Sequence, residues 1–272
     1  MPVYYDQMNR SVELPSIPKK IISIVPSQTE LLFDLGLNDE VIGITKFCIH
    51  PADKFKIKTK VGGTKTVDIE RVKKLNPDLI IGNKEENERS QVEELIQLFP
   101  VWMSDIADLA DALDMIQKVG GMVGKSEEAK KLGNNIKQQF DNLTPYSYRG
   151  NQSRLKVVYL IWRKPYIVAG KGTFIDSMLQ KCGLTNAFDA ERYPEVTNEM
   201  LIHAKPDVVL LSSEPYPFKE KHITEFESLL PHSVINLVDG ELFSWYGSRL
   251  LHAPAYFSDL MQAVNNQCNH LM

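Results

Sequence analysis

Cysteine is scarce in this chain. Only Cys48, Cys182 and Cys268 occur among 272 residues, which excludes a dense disulfide framework. At most one internal bridge can form and no spacing requires it, so the redox compartment stays open. No run of 18 apolar residues exists, so no segment reads as a membrane-spanning helix. Long basic runs are also missing and the net charge is −4. Nucleic acid is therefore not an expected partner, because phosphate binding needs clustered Lys and Arg. The start, Met1 to Asp6, has neither a basic region nor an apolar core and is not a secretory signal. Either a signal lies outside this sequence or the protein stays in the cytoplasm.

Several catalytic signatures are absent as well. There is no Walker-type phosphate loop. Gly170-Lys171-Gly172-Thr173 lacks the upstream glycine and reads as a turn in which Thr173 caps the next helix. No Gly-x-Ser-x-Gly elbow, His-Glu-x-x-His or Cys-x-x-Cys pair is present. The six histidines (50, 203, 222, 232, 252, 270) do not cluster along the chain, which disfavours a receptor for a bare metal ion.

What is present is ordinary globular material, 43% hydrophobic and 24% charged, arranged as strands alternating with helices. Val12–Leu14, Ile21–Val25, Val41–Ile44, Leu79–Ile81 and Val101–Met103 read as strands. Thr29–Leu35, closed by Gly36, reads as a helix, as do Asp68–Lys74 and Glu88–Leu98. From Ile106 to about Phe140 the pattern is helical with one interruption near Gly124, and Ser126 is placed to start a helix running to about Leu143. Thr144–Asn151 is polar and turn-rich, a natural boundary. Alternation then resumes with strands Leu155–Ile161, Val208–Leu211 and Val234–Leu237. Its helices are Thr173–Lys181, Thr224–Leu230 and about Ala253–Val264. Such alternation predicts an α/β fold with mostly parallel sheets and right-handed crossovers.

The two halves echo each other. Glu70 precedes Pro77-Asp78 by seven residues and a buried strand follows. Glu199 precedes Pro206-Asp207 by the same interval, again with a strand behind it. A helix, a Pro-Asp turn and a strand form a common connection. The repeated spacing also suits two lobes of similar build, each with one acidic residue at an equivalent place. That arrangement fits docking onto a two-fold symmetric partner.

The run Asp6…Arg10-Ser11-Val12-Glu13-Leu14-Pro15…Pro18-Lys19-Lys20-Ile21-Ile22-Ser23, followed by Pro26-Ser27-Gln28-Thr29-Glu30, resembles the opening of class III substrate-binding proteins of ABC importers for vitamin B12, haem and ferric siderophores. The Glu70–Pro77 and Glu199–Pro206 segments match that family too, and the likeness runs from about residue 6 to 265. The resemblance implies two α/β lobes, residues 1–124 and 145–272, joined by one long backbone helix at 125–144. A ligand would lie between the lobes. It implies a monomeric, non-enzymatic protein, periplasmic or on the cell surface, without a cofactor of its own. Its ligand would be a cobalamin-like corrinoid or iron chelate, delivered to a permease dimer in the membrane that Glu70 and Glu199 contact.

In such a fold the ligand meets loops at the C-terminal ends of strands, and a flat chelate favours Trp and Tyr walls. The loop after Ile44 offers Cys48 and His50 as ligand contacts and candidate metal ligands, although Cys is as often a small buried apolar residue. The loop after Ile81 offers Asn83 and Lys84, with no Trp where B12-binding members carry one. Trp162, Arg163 and Tyr166 follow the strand ending at Ile161. Trp245, Tyr246 and Arg249 lie near the end. The two arginines are candidates for pairing with ligand carboxylates or phosphate. Two other readings of the same scaffold are a cytoplasmic corrinoid or tetrapyrrole carrier and a chelatase-like metal-cofactor enzyme with His50 as its titratable group.

Overall fold

The computed structural model describes residues 2–143 and 154–270. The expected boundary at Thr144–Asn151 lies outside the described residues. In chain order the elements of the first half are β1 (Val3–Tyr5), β2 (Ser11–Glu13), β3 (Ile21–Ser23), α1 (Pro26–Asp34), β4 (Val41–Ile44), α2 (Ala52–Ile57), β5 (Thr59–Lys60), α3 (Ile69–Leu75), β6 (Leu79–Asn83), α4 (Arg89–Ile96), β7 (Val101–Ser104), α5 (Leu109–Met122) and α6 (Ser126–Asn142). The second half holds β8 (Lys156–Trp162), β9 (Tyr166–Val168), α7 (Phe174–Lys181), β10 (Thr185–Asn186), β11 (Glu195–Val196), α8 (Asn198–Ala204), β12 (Val208–Ser212), α9 (Glu220–Leu229), β13 (Val234–Val238), α10 (Gly240–Ser244) and α11 (Ala253–His270).

These elements form two compact α/β units. The first comprises Met1–Ile106, Ala110–Lys137 and Trp245–Arg249; the second comprises Ala107–Leu109, Gln138–Ser244 and Leu250–Met272. Helix α6 thus supplies residues to both. The segment Trp245–Arg249, expected with the C-terminal lobe, belongs to the first unit.

The first unit carries a five-stranded sheet in the order β5-β4-β3-β6-β7, parallel throughout. Its central strands are buried along their whole length, as Ile21–Ser23 and Leu79–Asn83 show, because a parallel sheet is covered on both faces. Ile22, Ile80, Val72 and Leu95 share one core cluster. The second unit carries a sheet in the order β11-β9-β8-β12-β13, with β10 also paired to β8. Strands β8, β10, β12 and β13 run parallel, while β9 and β11 pair antiparallel at one side. Val158, Leu160, Val209 and Phe226 anchor its core.

Pro26 opens α1 instead of merely ending β3. At the first helical position its missing N–H costs nothing, and its fixed φ suits the helix. Helix α9 begins four residues before the expected Thr224, and α11 runs six beyond the expected Val264.

The sequence echo has a structural cause. Helices α3 and α8 have seven residues each, capped by Asp68 and Thr197, which accept from the N–H of Arg71 and Met200. Both end at a left-handed residue, Asn76 or Lys205, each with φ of 47°. The Pro-Asp that follows makes a strand clamp. Asp78 accepts from the N–H of Lys19 and Lys20 at 2.9 and 3.0 Å, ahead of β3. Asp207 accepts from the N–H of Lys156, the first residue of β8, at 2.7 Å. One local device therefore registers the central strands in each unit.

At the C-terminal ends of β3 and β6, backbone groups are met by buried amides. Asn87 donates to the carbonyls of Ile24 and Thr64, both at 3.0 Å, and accepts from the N–H of Asn83 at 2.7 Å. Asn87→Ala strands three backbone groups and is expected to lower the unfolding free energy by about 2–4 kcal/mol. Urea denaturation followed by far-UV circular dichroism measures it; an unchanged midpoint would contradict the assignment.

Candidate functional site

The candidate residues gather in two patches, one in each unit. In the first unit the chain leaves β4 at Thr45 and turns through Pro51. Cys48 faces inward and is wholly buried. Its sulfur receives a hydrogen bond from the Thr29 hydroxyl at 3.1 Å and lies 3.1 Å from that of Thr45. Burial pushes the thiol up and outweighs the lowering effect of those hydroxyls. Wholly buried with two threonine hydroxyls at its sulfur, Cys48 has the surroundings of a small buried apolar residue. Phe47 and Ile49, beside it in sequence, are exposed.

His50 is half-buried and meets Trp245 edge to face, ring centroids 5.6 Å apart. Trp245 is only 6% exposed, and the Arg249 guanidinium lies 4.8 Å from its ring centroid. Arg249 donates Nε and Nη2 to the two oxygens of Glu30 on α1, at 3.0 and 2.6 Å. The Tyr246 hydroxyl donates to Glu86 and the Ser248 hydroxyl to Asp34. At Gly247 a Cβ would stand 2.6 Å from the Ser27 carbonyl oxygen, so only glycine lets the segment lie this close to α1. These ties explain why Trp245–Arg249 belongs to the first unit.

Asn83 is buried, and its amide is spent internally. Its oxygen accepts from the N–H of Glu85 and Glu86 at 2.8 and 3.1 Å, and its nitrogen donates to Ser104 Oγ at 3.0 Å. It shapes the turn after β6. Lys84 is exposed and pairs with Asp105 at 2.5 Å.

In the second unit Trp162 and Tyr166 were expected in a loop after a strand. Instead Trp162 ends β8 and Tyr166 begins β9, so both ride on a paired hairpin. Trp162 is 40% exposed and meets Tyr216 edge to face at 5.8 Å. Arg163 donates Nη2 to Glu225 at 2.8 Å and Nε to the same carboxylate at 3.2 Å. The Tyr166 hydroxyl donates to the other Glu225 oxygen at 2.5 Å. Burial pushes Glu225 up, but the bonds from Arg163 and Tyr166 prevail and hold it below the ordinary carboxylate range. Burial and this carboxylate push Tyr166 up to about 12. Both arginines predicted to grip ligand carboxylates thus already hold glutamates of their own unit.

Glu70 and Glu199 occupy matching first-turn positions of α3 and α8. Glu70 pairs with Lys73 at 2.8 Å. Glu199 is held low by the Thr197 hydroxyl and its own backbone N–H. Among the described residues, no three His, Cys, Asp or Glu side chains form a group able to hold a metal ion.

The glutamates that orient the site, Glu30, Glu86 and Glu225, were not singled out from sequence. Nor were Tyr216, which meets Trp162, and His222, which meets Tyr216. Glu30 was at hand in Pro26-Ser27-Gln28-Thr29-Glu30; the others carry no local pattern. His222 is buried against Tyr216 and Phe218, and its Nδ1 accepts from the Lys219 N–H at 2.8 Å, which requires an unprotonated nitrogen.

These burials have measurable consequences for stability. Trp245→Ala is expected to destabilise by about 3–5 kcal/mol, as large buried aromatics do. Trp162→Ala is expected to stay within about 1 kcal/mol of the parent. Thermal unfolding of the two variants separates them, and equal losses would refute the assignment of burial. Burial, with Arg163 and Lys221 nearby, lowers the His222 pKa below 6.5 despite Glu225. The unfolded state therefore binds the proton first. The contribution of His222 to stability is complete above pH 6.5 and is lost as pH falls through the folded value. A His222→Gln variant is expected to lose that slope in urea midpoints measured across acid pH.

Comparison with known proteins places this geometry. The model of a family described as periplasmic binding protein matches residues 21–231. A vitamin B12-binding protein of Pectobacterium carotovorum is 22% identical over 253 residues, 92% of this chain and 91% of that protein. An uncharacterised ABC transporter substrate-binding lipoprotein of Bacillus subtilis, YvrC, is 26% identical over 260 residues, covering 90% and 81% of the two chains. The periplasmic haem-binding protein BhuT, solved with two haems, superposes with a TM-score of 0.78 at 21% identity over 92% of this chain and 99% of that one. With two α/β units of mostly parallel sheet and a family match over most of its length, this chain belongs to the periplasmic binding protein family.

Proposed function

We propose that the chain is the substrate-binding component of an ABC importer and captures a planar metal chelate, a corrinoid or an iron-bearing tetrapyrrole, for delivery to a permease dimer. The observation that carries this reading is the pair of aromatic patches at the C-terminal ends of parallel strands. His50 against Trp245, with exposed Phe47 and Ile49 on the same turn, makes one; Trp162 against Tyr216, with Tyr166 on the same hairpin, makes the other. Exposed Phe47 and Trp162 and half-buried His50 on fixed backbone suit a flat, largely apolar guest, with buried Trp245 backing His50. The names of the similar proteins, vitamin B12-binding and haem-binding, support the same ligand class.

Within this reading His50 is the candidate axial ligand to the chelated metal, since imidazole suits cobalt and iron and Cys48 is sealed. Glu70 and Glu199 are the candidate permease contacts, one on each unit at the same place in a repeated connection. Exposed charges of this kind set on-rate and register more than affinity. The protein acts as a monomer outside the cytoplasm and carries no catalytic function. The named transporter lipoprotein among its relatives favours this location.

Cyanocobalamin, ferric protoporphyrin and ferric siderophores, titrated into the purified chain and read by tryptophan fluorescence, test the reading. Saturable quenching by a corrinoid or tetrapyrrole is expected, with a matching rise in melting temperature. Trp162→Ala is expected to weaken that binding by about 1–3 kcal/mol. Absence of binding to both ring classes would remove the proposal.

A further inference from the structure

One edge of the first unit's sheet concentrates cations that ring binding does not use. Lysines stand at 54, 56, 58 and 60, along α2 and β5, against a single acid, Asp53. Residues 52–60 thus carry +3 in a chain whose total is −4. Strand β5 is the edge strand of its sheet, and α2 has no buried residue. Ile57, between two of the lysines, is 72% exposed, the highest value among the large apolar side chains of the described residues.

Local contacts hold these charges in place. The Lys60 ammonium donates to the carbonyls of Phe55 and Lys58 and lies 4.2 Å from the Phe55 ring centroid. The Lys58 ammonium donates to the Asn38 carbonyl. From α3, Arg71 donates Nη1 to the Lys60 carbonyl at 2.7 Å, which brings a guanidinium to the same corner. Carbonyl oxygens satisfy N–H groups without cancelling their charge. The nearby acids are already engaged, Asp53 at 3.8 Å from Lys54 and Asp68 at 3.4 Å from Arg71. Among the described residues no carboxylate pairs with Lys56, Lys58 or Lys60, and Lys56 is exposed. A lysine on an edge strand also discourages pairing with a second sheet. That role accounts for Lys60 on β5. It does not account for the lysines of a helix that buries nothing, or for a bare isoleucine among them.

We propose that the α2–β5 corner is a docking surface for an anionic phospholipid bilayer, with Lys54, Lys56 and Lys58 over the headgroup phosphates and Ile57 entering the headgroup–acyl boundary. Cations around an exposed apolar side chain are the combination that interfacial binding uses. The acidic remainder of the chain opposes it little, because exposed charges are screened beyond about 8 Å at physiological salt. Lipid contact of this kind needs no ring ligand and stands apart from the importer reading.

The full chain as wild type, Lys56→Gln, Ile57→Ser and the double variant is sedimented with sucrose-loaded vesicles. These contain phosphatidylcholine alone or with about one-third phosphatidylglycerol, at about 50 and 500 mM NaCl. At low salt the wild type is expected to bind the mixed vesicles at least about tenfold more tightly than pure phosphatidylcholine, and high salt is expected to remove the difference. K56Q is expected to lose about fivefold on mixed vesicles, the share of one cation near the surface. I57S is expected to lose about threefold or more there, and the double variant to fall to the phosphatidylcholine level. Both positions lie on a helix without buried residues, so the variants are expected to melt with the wild type. Equal binding of the wild type to the two vesicle types would overturn the proposal, as would mixed-vesicle binding that the double variant leaves unmoved. Heparin is the control for bare charge. Heparin binding as tight as vesicle binding, with I57S unchanged on both, would show a general polyanion surface and overturn the lipid assignment.

Discussion

A guanidinium taken partly out of water needs a carboxylate, and two such pairs set the positions of the residues that matter here. Glu30 holds Arg249, which covers Trp245, which in turn meets His50. Glu225 holds Arg163 and, through its second oxygen, Tyr166, so both ends of the Trp162 hairpin converge on one carboxylate. In each case the ion pair helps fix the place of an aromatic ring. A bidentate pair fixes orientation with little freedom left over.

A second level of organisation comes from the strand clamps. Asp78 collects two backbone N–H groups and Asp207 one from the chain entering a neighbouring central strand. Each follows a proline and a left-handed helix end. The repeated Glu-to-Pro interval in the sequence is therefore the visible trace of a repeated construction. Glu70 and Glu199 inherit equivalent positions from it, although their surroundings differ: Glu70 has Lys73 as a partner, while Glu199 relies on the cap of its own helix.

The fold was largely legible because buried parallel strands leave apolar runs and helices leave periodic ones. Ile21–Ser23, Val41–Ile44 and Val208–Ser212 all lie where β-branched runs stand, and Ser126 and Thr173 open helices as their hydroxyls suggest. Short elements such as α2 and β9 to β11 carry too few residues for a period to show. The site was legible in its residue types but less so in their use. Cys48 reads from sequence as a candidate ligand set against the commoner buried apolar role, and its burial and two threonine partners are not visible there. Arg249 and Glu30 stand 219 positions apart, so no local pattern could pair them. Trp162 was placed in a loop because the residues after it are polar, yet antiparallel pairing with Ile167 keeps it on a strand.

Trp245–Arg249 is flanked on both sides by residues of the second unit while its own contacts lie in the first. The first unit is therefore not encoded by one continuous stretch. A fragment ended at Lys137 would carry Glu30, Asp34 and Glu86 with their partners deleted and His50 without its indole neighbour. Dissection of this protein into halves must splice those five residues back onto the N-terminal piece, or its half-site will be assembled from unmatched acids.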